Sequence, residues 1–235
     1  MSDPDPAIEH LKERAWQEVA AINQALAEGR IDEEGWYAAM AAMIKSAYLS
    51  AGNPYAQAGH GGDAGTWEAS RGFIAQAIHR SGTFLDVGCG ASGILMESVR
   101  RWGARKNLDI EPYGLDIIPE FAQSARRGLP QWADRIHTGN ILTWQPAGYR
   151  FDFVLIRPEY VPVSRRGDLA GHIINHVLKP DGRLIVFAGT EEVERRSVEA
   201  SFTVHGYVVH GRVEVPHPRD NRVVRRLFWM DGRGT

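Results

Sequence analysis

The stretch FLDVGCGASG, residues 84 to 93, carries a short apolar strand into a run of glycines and then into a helical pattern. A turn of this kind brings backbone N–H groups and a helix N-terminus up against a ligand. Outward from it, strands near 83–87, 110–115, 135–138, 151–156 and 183–188 alternate with helices at about 67–80, 93–104, 119–128, 166–178 and 191–204. That alternation predicts a parallel sheet with helices on both faces. Pro119 suits a first helical turn, and Lys179-Pro180-Asp181-Gly182 reads as a turn with proline at its second position. The end of the chain differs. GYVVHGRVEV and NRVVRRLFWM are β-rich runs joined by a segment holding Pro216 and Pro218, a closing antiparallel hairpin that brings the expected sheet to seven strands.

Before this unit, Ile8, Leu11, Ala15, Val19, Ile22 and Leu26 step by three and four, as do Trp36, Met40, Met43, Ala47 and Tyr48. They predict two amphipathic helices, the first ended by Gly29 and the second capped by Asp32. Residues 51 to 66 hold five glycines and a proline, hence a loop. The expected organisation is a helical cap with its lid loop over 1–66 and a ligand-binding domain over 67–235.

Composition narrows the function classes. The 29 acidic residues outnumber the 27 basic ones, and the arginines come in scattered pairs rather than a stripe, so a nucleic-acid partner is not expected. No apolar run approaches the roughly 20 residues of a membrane span, and the acidic start lacks a signal-peptide pattern. The single cysteine, Cys89, leaves no internal disulfide. A cytoplasmic protein is the expectation, with a homodimer left open.

Gly88, Gly90 and Gly93 also satisfy the G-x-G-x-x-G dinucleotide fingerprint, so two cofactors compete. Asp86 separates them by charge, since it closes the strand two residues before Gly88. A carboxylate there would oppose a doubly negative pyrophosphate, whereas it attracts the ammonium and sulfonium of S-adenosylmethionine (SAM). Acid-x-Gly-x-Gly closing a first strand resembles the signature of class I SAM-dependent methyltransferases. The order of landmarks is similar too: an acid, Asp116, closes the second strand 28 residues after Gly88; His137-Thr138-Gly139-Asn140-Ile141 is similar to the third motif; Arg157-Pro158-Glu159-Tyr160 follows the fourth strand. The family's third glycine falls at Ser92, with Gly93 one residue later.

The resemblance implies a Rossmann-like, mostly parallel seven-stranded sheet with SAM as cofactor and S-adenosylhomocysteine (SAH) as product. Residues expected at the cofactor are Arg71, Asp86, Gly88, Cys89, Gly90, Asp116, Ile117, Asn140, Ile141 and Arg157. Asp116 would accept the ribose hydroxyls, Asn140 would meet the adenine edge, and Arg71, four residues after Trp67, would meet the cofactor's carboxylate. The acceptor is expected to be oxygen or nitrogen of a small molecule, with Tyr55, Asp63 and Tyr160 as substrate contacts and His60 and Glu159 as candidate bases. RNA or protein methylation and a noncatalytic SAM- or dinucleotide-binding role are the alternatives. Arg157 has no acceptor, so the planar-amine role of the N/D-P-P-Y motif does not carry over. Cys89 reads as a small residue in a glycine loop, and His172 and His176, lacking the intervening glutamate of zinc proteases, do not predict a metal site.

Overall fold

The chain builds the middle of its sheet from strands buried on both faces, which is why FVLI (153–156) and LIVF (184–187) are continuous apolar runs rather than alternating ones. The computed structural model describes residues 6–60, 62–188, 197–217 and 220–232. Its strands are β1 (Gly82–Val87), β2 (Ile110–Asp116), β3 (Ile136–Thr138), β4 (Phe151–Ile156), β5 (Leu178–Ala188), β6 (Gly211–His217) and β7 (Asp220–Asp231). They form one sheet in the order β3-β2-β1-β4-β5-β7-β6. The first five are parallel, and β7 runs antiparallel between β5 and β6. The expected seven strands and closing hairpin are therefore present.

Side chains alternate across the sheet with period two. Leu85, Val154, Ile156, Leu184 and Val186 enter one core; Phe84, Phe153, Leu155, Ile185 and Phe187 enter the other. Helix α3 (Ala64–Arg71) precedes β1, and α4 (Ile94–Ala104), α5 (Pro119–Gly128) and α6 (Arg166–His172) lie between strands in the chain. α3 begins three residues earlier than its apolar pattern indicated, because Asp63 caps it: the carboxylate accepts from Thr66 N at 2.8 Å. The Lys179–Gly182 turn is expelled from the sheet. Phe151 pairs with Leu178 and Phe153 with Arg183, so the residues between them bulge out. The helix expected at 191–204 falls partly outside the described residues, and Ala200–Thr203 is its described part.

At the N-terminus, α1 (Pro6–Ala27) ends before Gly29, and Asp32 caps α2 (Glu33–Ser50) by accepting from Gly35 N at 2.8 Å. Trp36 is buried toward α1, its indole donating to Asn23 at 2.9 Å. A neighbouring face of α2, about a quarter to a third of a turn away, meets the sheet domain. Ala41, Ile44 and Tyr48 pack on Ala91, Ile118 and Phe121, with Tyr48 stacked on Phe121 at 5.5 Å. Lys45 to Glu120 and Arg165 to Glu33 add ion pairs. Ala47, expected on the buried stripe, is exposed. No helix among the described residues is long and apolar enough to cross a membrane.

Candidate cofactor and substrate site

In an open parallel sheet, ligands bind beyond the carboxyl ends of the strands where the order reverses, here between β1 and β4. The loop leaving β1 lies at that point. Gly88, Gly90 and Gly93 have φ of 76°, 69° and 61°, the left-handed region that glycine enters without penalty. Close approach adds a second requirement: a Cβ on Gly88 would lie 2.1 Å from a Tyr160 ring carbon, and one on Gly90 would lie 3.0 Å from the Gln57 carbonyl oxygen. The loop is therefore covered by Tyr160 from the β4 side and by residues 54–58 from the N-terminal side. Ala91 N donates to Gln57 O at 3.0 Å, and Ser92 Oγ donates to Pro54 O at 2.7 Å. The serine at the third-glycine position thus fastens the covering loop.

Two acids stand beneath the loop. Asp116 accepts from Gly90 N and Ile118 N, each at 2.9 Å, and so ties the β1 and β2 loops together. Burial lifts its pKa to about 6 despite those bonds. Asp86 is 2% exposed, and its Oδ1 has no hydrogen-bond partner. Burial lifts this carboxyl to about 7, with Arg157 opposing the rise and Asp116 adding to it. Cys89 is buried beside Met96 and Ala122, and burial, followed by the charges of Asp116 and Asp86, pushes its thiol up, away from nucleophilic use.

The cationic side comes from two arginines that both approach the Phe187 ring. Arg71 lies 4.5 Å from the centre of that ring and 5.6 Å from that of Trp67; Arg157 lies 5.8 Å from Phe187. Arg71 donates to the carbonyl of Ser70, while its Nε is buried without a partner. Burial first, then the charges of Arg157 and Arg225, depress its pKa well below the usual guanidinium value. Arg157 donates to Tyr160 Oη at 2.8 Å. Burial would lower its pKa, but Tyr160, Asp86 and Glu159 outweigh that and raise it. Glu159 sits within electrostatic reach of both arginines.

A cavity of ≈ 340 Å³ opens at the ends of β2 and β3, lined by Glu33, Glu34, Tyr37, Ile117 and Asn140. Asn140 Oδ1 accepts from Leu142 N at 3.0 Å, and the Ile141 side chain belongs to the core with Leu115 and Leu142. The N-terminal candidates are placed differently. Tyr55 and His60 gather on Trp67 at 5.7 and 5.5 Å, with His60 Nε2 3.4 Å from Ser70 Oγ. Asp63 is exposed and its carboxylate caps α3. His172 and His176 have rings 5.1 Å apart, and His172 Nε2 lies 2.8 Å from the Trp144 carbonyl oxygen.

The site residues missed in the sequence are Tyr37, Tyr48, Glu33 and Glu34 of α2, Gln57, and Phe187. Eleven residues are close to three helical turns, so Tyr37 and Tyr48 share a face, and that recurrence of hydroxyl-bearing aromatics was the available signal.

No protein-family model matches the sequence, and no curated protein matches it. Solved structures do match by fold. The N-methyltransferase NodS of Bradyrhizobium japonicum WM9, solved with SAH, is 13% identical with a TM-score of 0.52, covering 69% of this chain and 83% of that one. A SAM-dependent methyltransferase of Aquifex aeolicus is 15% identical with a TM-score of 0.52, covering 72% and 94%. The ribosomal protein L11 methylase of Lactobacillus delbrueckii subsp. bulgaricus is 18% identical with a TM-score of 0.50, covering 73% and 80%. The chain has the Rossmann-like fold of class I SAM-dependent methyltransferases, and at these identities the likeness is one of fold.

Proposed function

We propose that the protein is a SAM-dependent methyltransferase acting on oxygen or nitrogen of a small molecule. The observation that carries this reading is Asp86: a buried carboxyl oxygen without a partner, beneath a glycine loop at the strand-order reversal. Such a group is costly unless a ligand supplies a cation or donor. Arg71 Nε is the opposite orphan, a buried donor without an acceptor. A zwitterionic amino-acid end answers both. When bound, SAM supplies a methyl group on a sulfonium, ready for displacement. Asp86 would hold the ammonium, Arg71 the carboxylate, and Asp116 and Asn140 the nucleoside. A dinucleotide fits less well, because its pyrophosphate would meet Asp86 and Asp116.

The reaction needs alignment above all, with the acceptor in line at about 3–3.5 Å from the methyl carbon. Tyr160 on Gly88, fixed by Arg157, is the side chain best situated to orient an acceptor, and Glu159 beside them is the candidate base. His60 is the weaker candidate, being packed edge-on against Trp67. The covering of the glycine loop by Tyr160 and residues 54–58 favours a small acceptor over a macromolecule. Calorimetry with SAH and NAD tests the cofactor: SAH is expected to bind at micromolar concentration and NAD not measurably. Tight NAD binding with no SAH binding would overturn the proposal.

A further inference from the structure

We infer that the N-terminal helix α2 is itself part of the nucleoside site, with Tyr37 as a cofactor-binding residue. The inference rests on the SAM reading above and extends it to a part of the chain that the glycine loop does not define. The cavity at Ile117 and Asn140 has α2 as its far wall: Glu33, Glu34 and Tyr37 complete it. Its ≈ 340 Å³ falls within the range of small-molecule sites, about 300–1,000 Å³.

Its chemistry suits an adenine nucleoside. Ile117, 39% exposed where other large aliphatic side chains of this region are buried, offers an apolar face. The Tyr37 hydroxyl is buried beside the Asn140 side chain and has no other hydrogen-bond partner. Burial, opposed by the nearby Asn140, keeps it in the phenol form, able both to donate and to accept. Glu33 and Glu34 bring acceptors for the exocyclic amine and hydroxyls of a neutral nucleoside, and they oppose phosphorylated ligands. Glu33 is also paired with Arg165, which follows β4, so the wall is fastened to the part of the chain that carries Arg157 and Tyr160.

The test compares SAH with adenosine, which has the nucleoside and no amino-acid end. Tyr37→Phe keeps the ring that packs on the core and removes only the hydroxyl. Calorimetry is expected to show SAH and adenosine weakened by the same factor, about fivefold, the worth of one neutral hydrogen bond. The melting temperature without ligand should stay unchanged. A second measurement follows amide exchange: adenosine is expected to slow it in residues 33–37. If wild type binds SAH while Tyr37→Phe binds it and adenosine as tightly as wild type, the inference falls and the methyltransferase reading stands. The same holds if only SAH is weakened, or if adenosine leaves exchange in α2 unaltered. Failure of wild type to bind either ligand overturns both.

Discussion

Asp86 is the residue on which the proposed cofactor site rests, and its environment gives it a measurable signature. Its folded-state pKa of about 7 lies above that of an exposed aspartate, so the folded protein holds the proton more tightly than the unfolded chain. Stability from this group is present at low pH and is lost as pH rises from the ordinary aspartate value toward 7. Asp86→Asn removes that loss. Relative to wild type, the variant is expected to gain on the order of 3 kcal/mol between pH 5 and pH 8, read from denaturant unfolding without ligand, because a tenfold change in ionisation is worth about 1.4 kcal/mol. SAH binding should show the opposite. Wild type is expected to bind more tightly at pH 8 than at pH 5.5, by about tenfold, and Asp86→Asn to bind weakly at both. A variant with wild-type affinity would remove Asp86 from the site.

At the scale of elements, the N-terminal helices do more than decorate the sheet. α2 covers Ala91, Ile118 and Phe121, and the loop after it places Pro54 and Gln57 carbonyls on Ser92 and Ala91. The glycine loop therefore owes part of its conformation to residues more than thirty positions upstream. We propose that this region is a cap over the cofactor. Deleting residues 1–50 is expected to leave the β-sheet signal in circular dichroism and to weaken SAH binding at least tenfold by calorimetry. A folded truncation with wild-type affinity would reduce the helices to packing or a partner contact. The sequence announced both helices, Gly29 and Asp32, because caps and stops are local. It did not announce which face of α2 turns inward. Trp36 and Tyr37 are neighbours about 100° apart on a helix, and each faces a different partner, α1 or the sheet domain.

Across the whole molecule, the ends of the sheet answer pH in opposite senses. At the end away from the site, Asp152 accepts from Thr83 N at 2.9 Å, from Lys179 at 2.8 Å and from Arg80 at 3.0 Å. Burial would raise its pKa, but the bonds from Lys179 and Thr83 outweigh it and hold the carboxyl below the usual range. Its stabilisation is thus present at neutral pH and lost as pH falls through that lowered value. Asp152→Asn is expected to cost about 2–3 kcal/mol in unfolding experiments at pH 7 and to leave SAH affinity unchanged. A loss of affinity would mean that the two ends of the sheet are coupled. The sequence by itself determined the alternation of strands and helices, the glycine turn after β1, the acids closing β1 and β2, and the final hairpin. All of these are written in periodicity and in neighbours a few residues apart. Only the tertiary structure decided that Arg71 and Arg157 share Phe187, that Tyr160 lies on Gly88, that His60 and Tyr55 turn to Trp67, and that Tyr37 faces Asn140. Those pairs are far apart in the chain, and they meet because sheet order and helix rotation, set by burial of the whole core, bring them together.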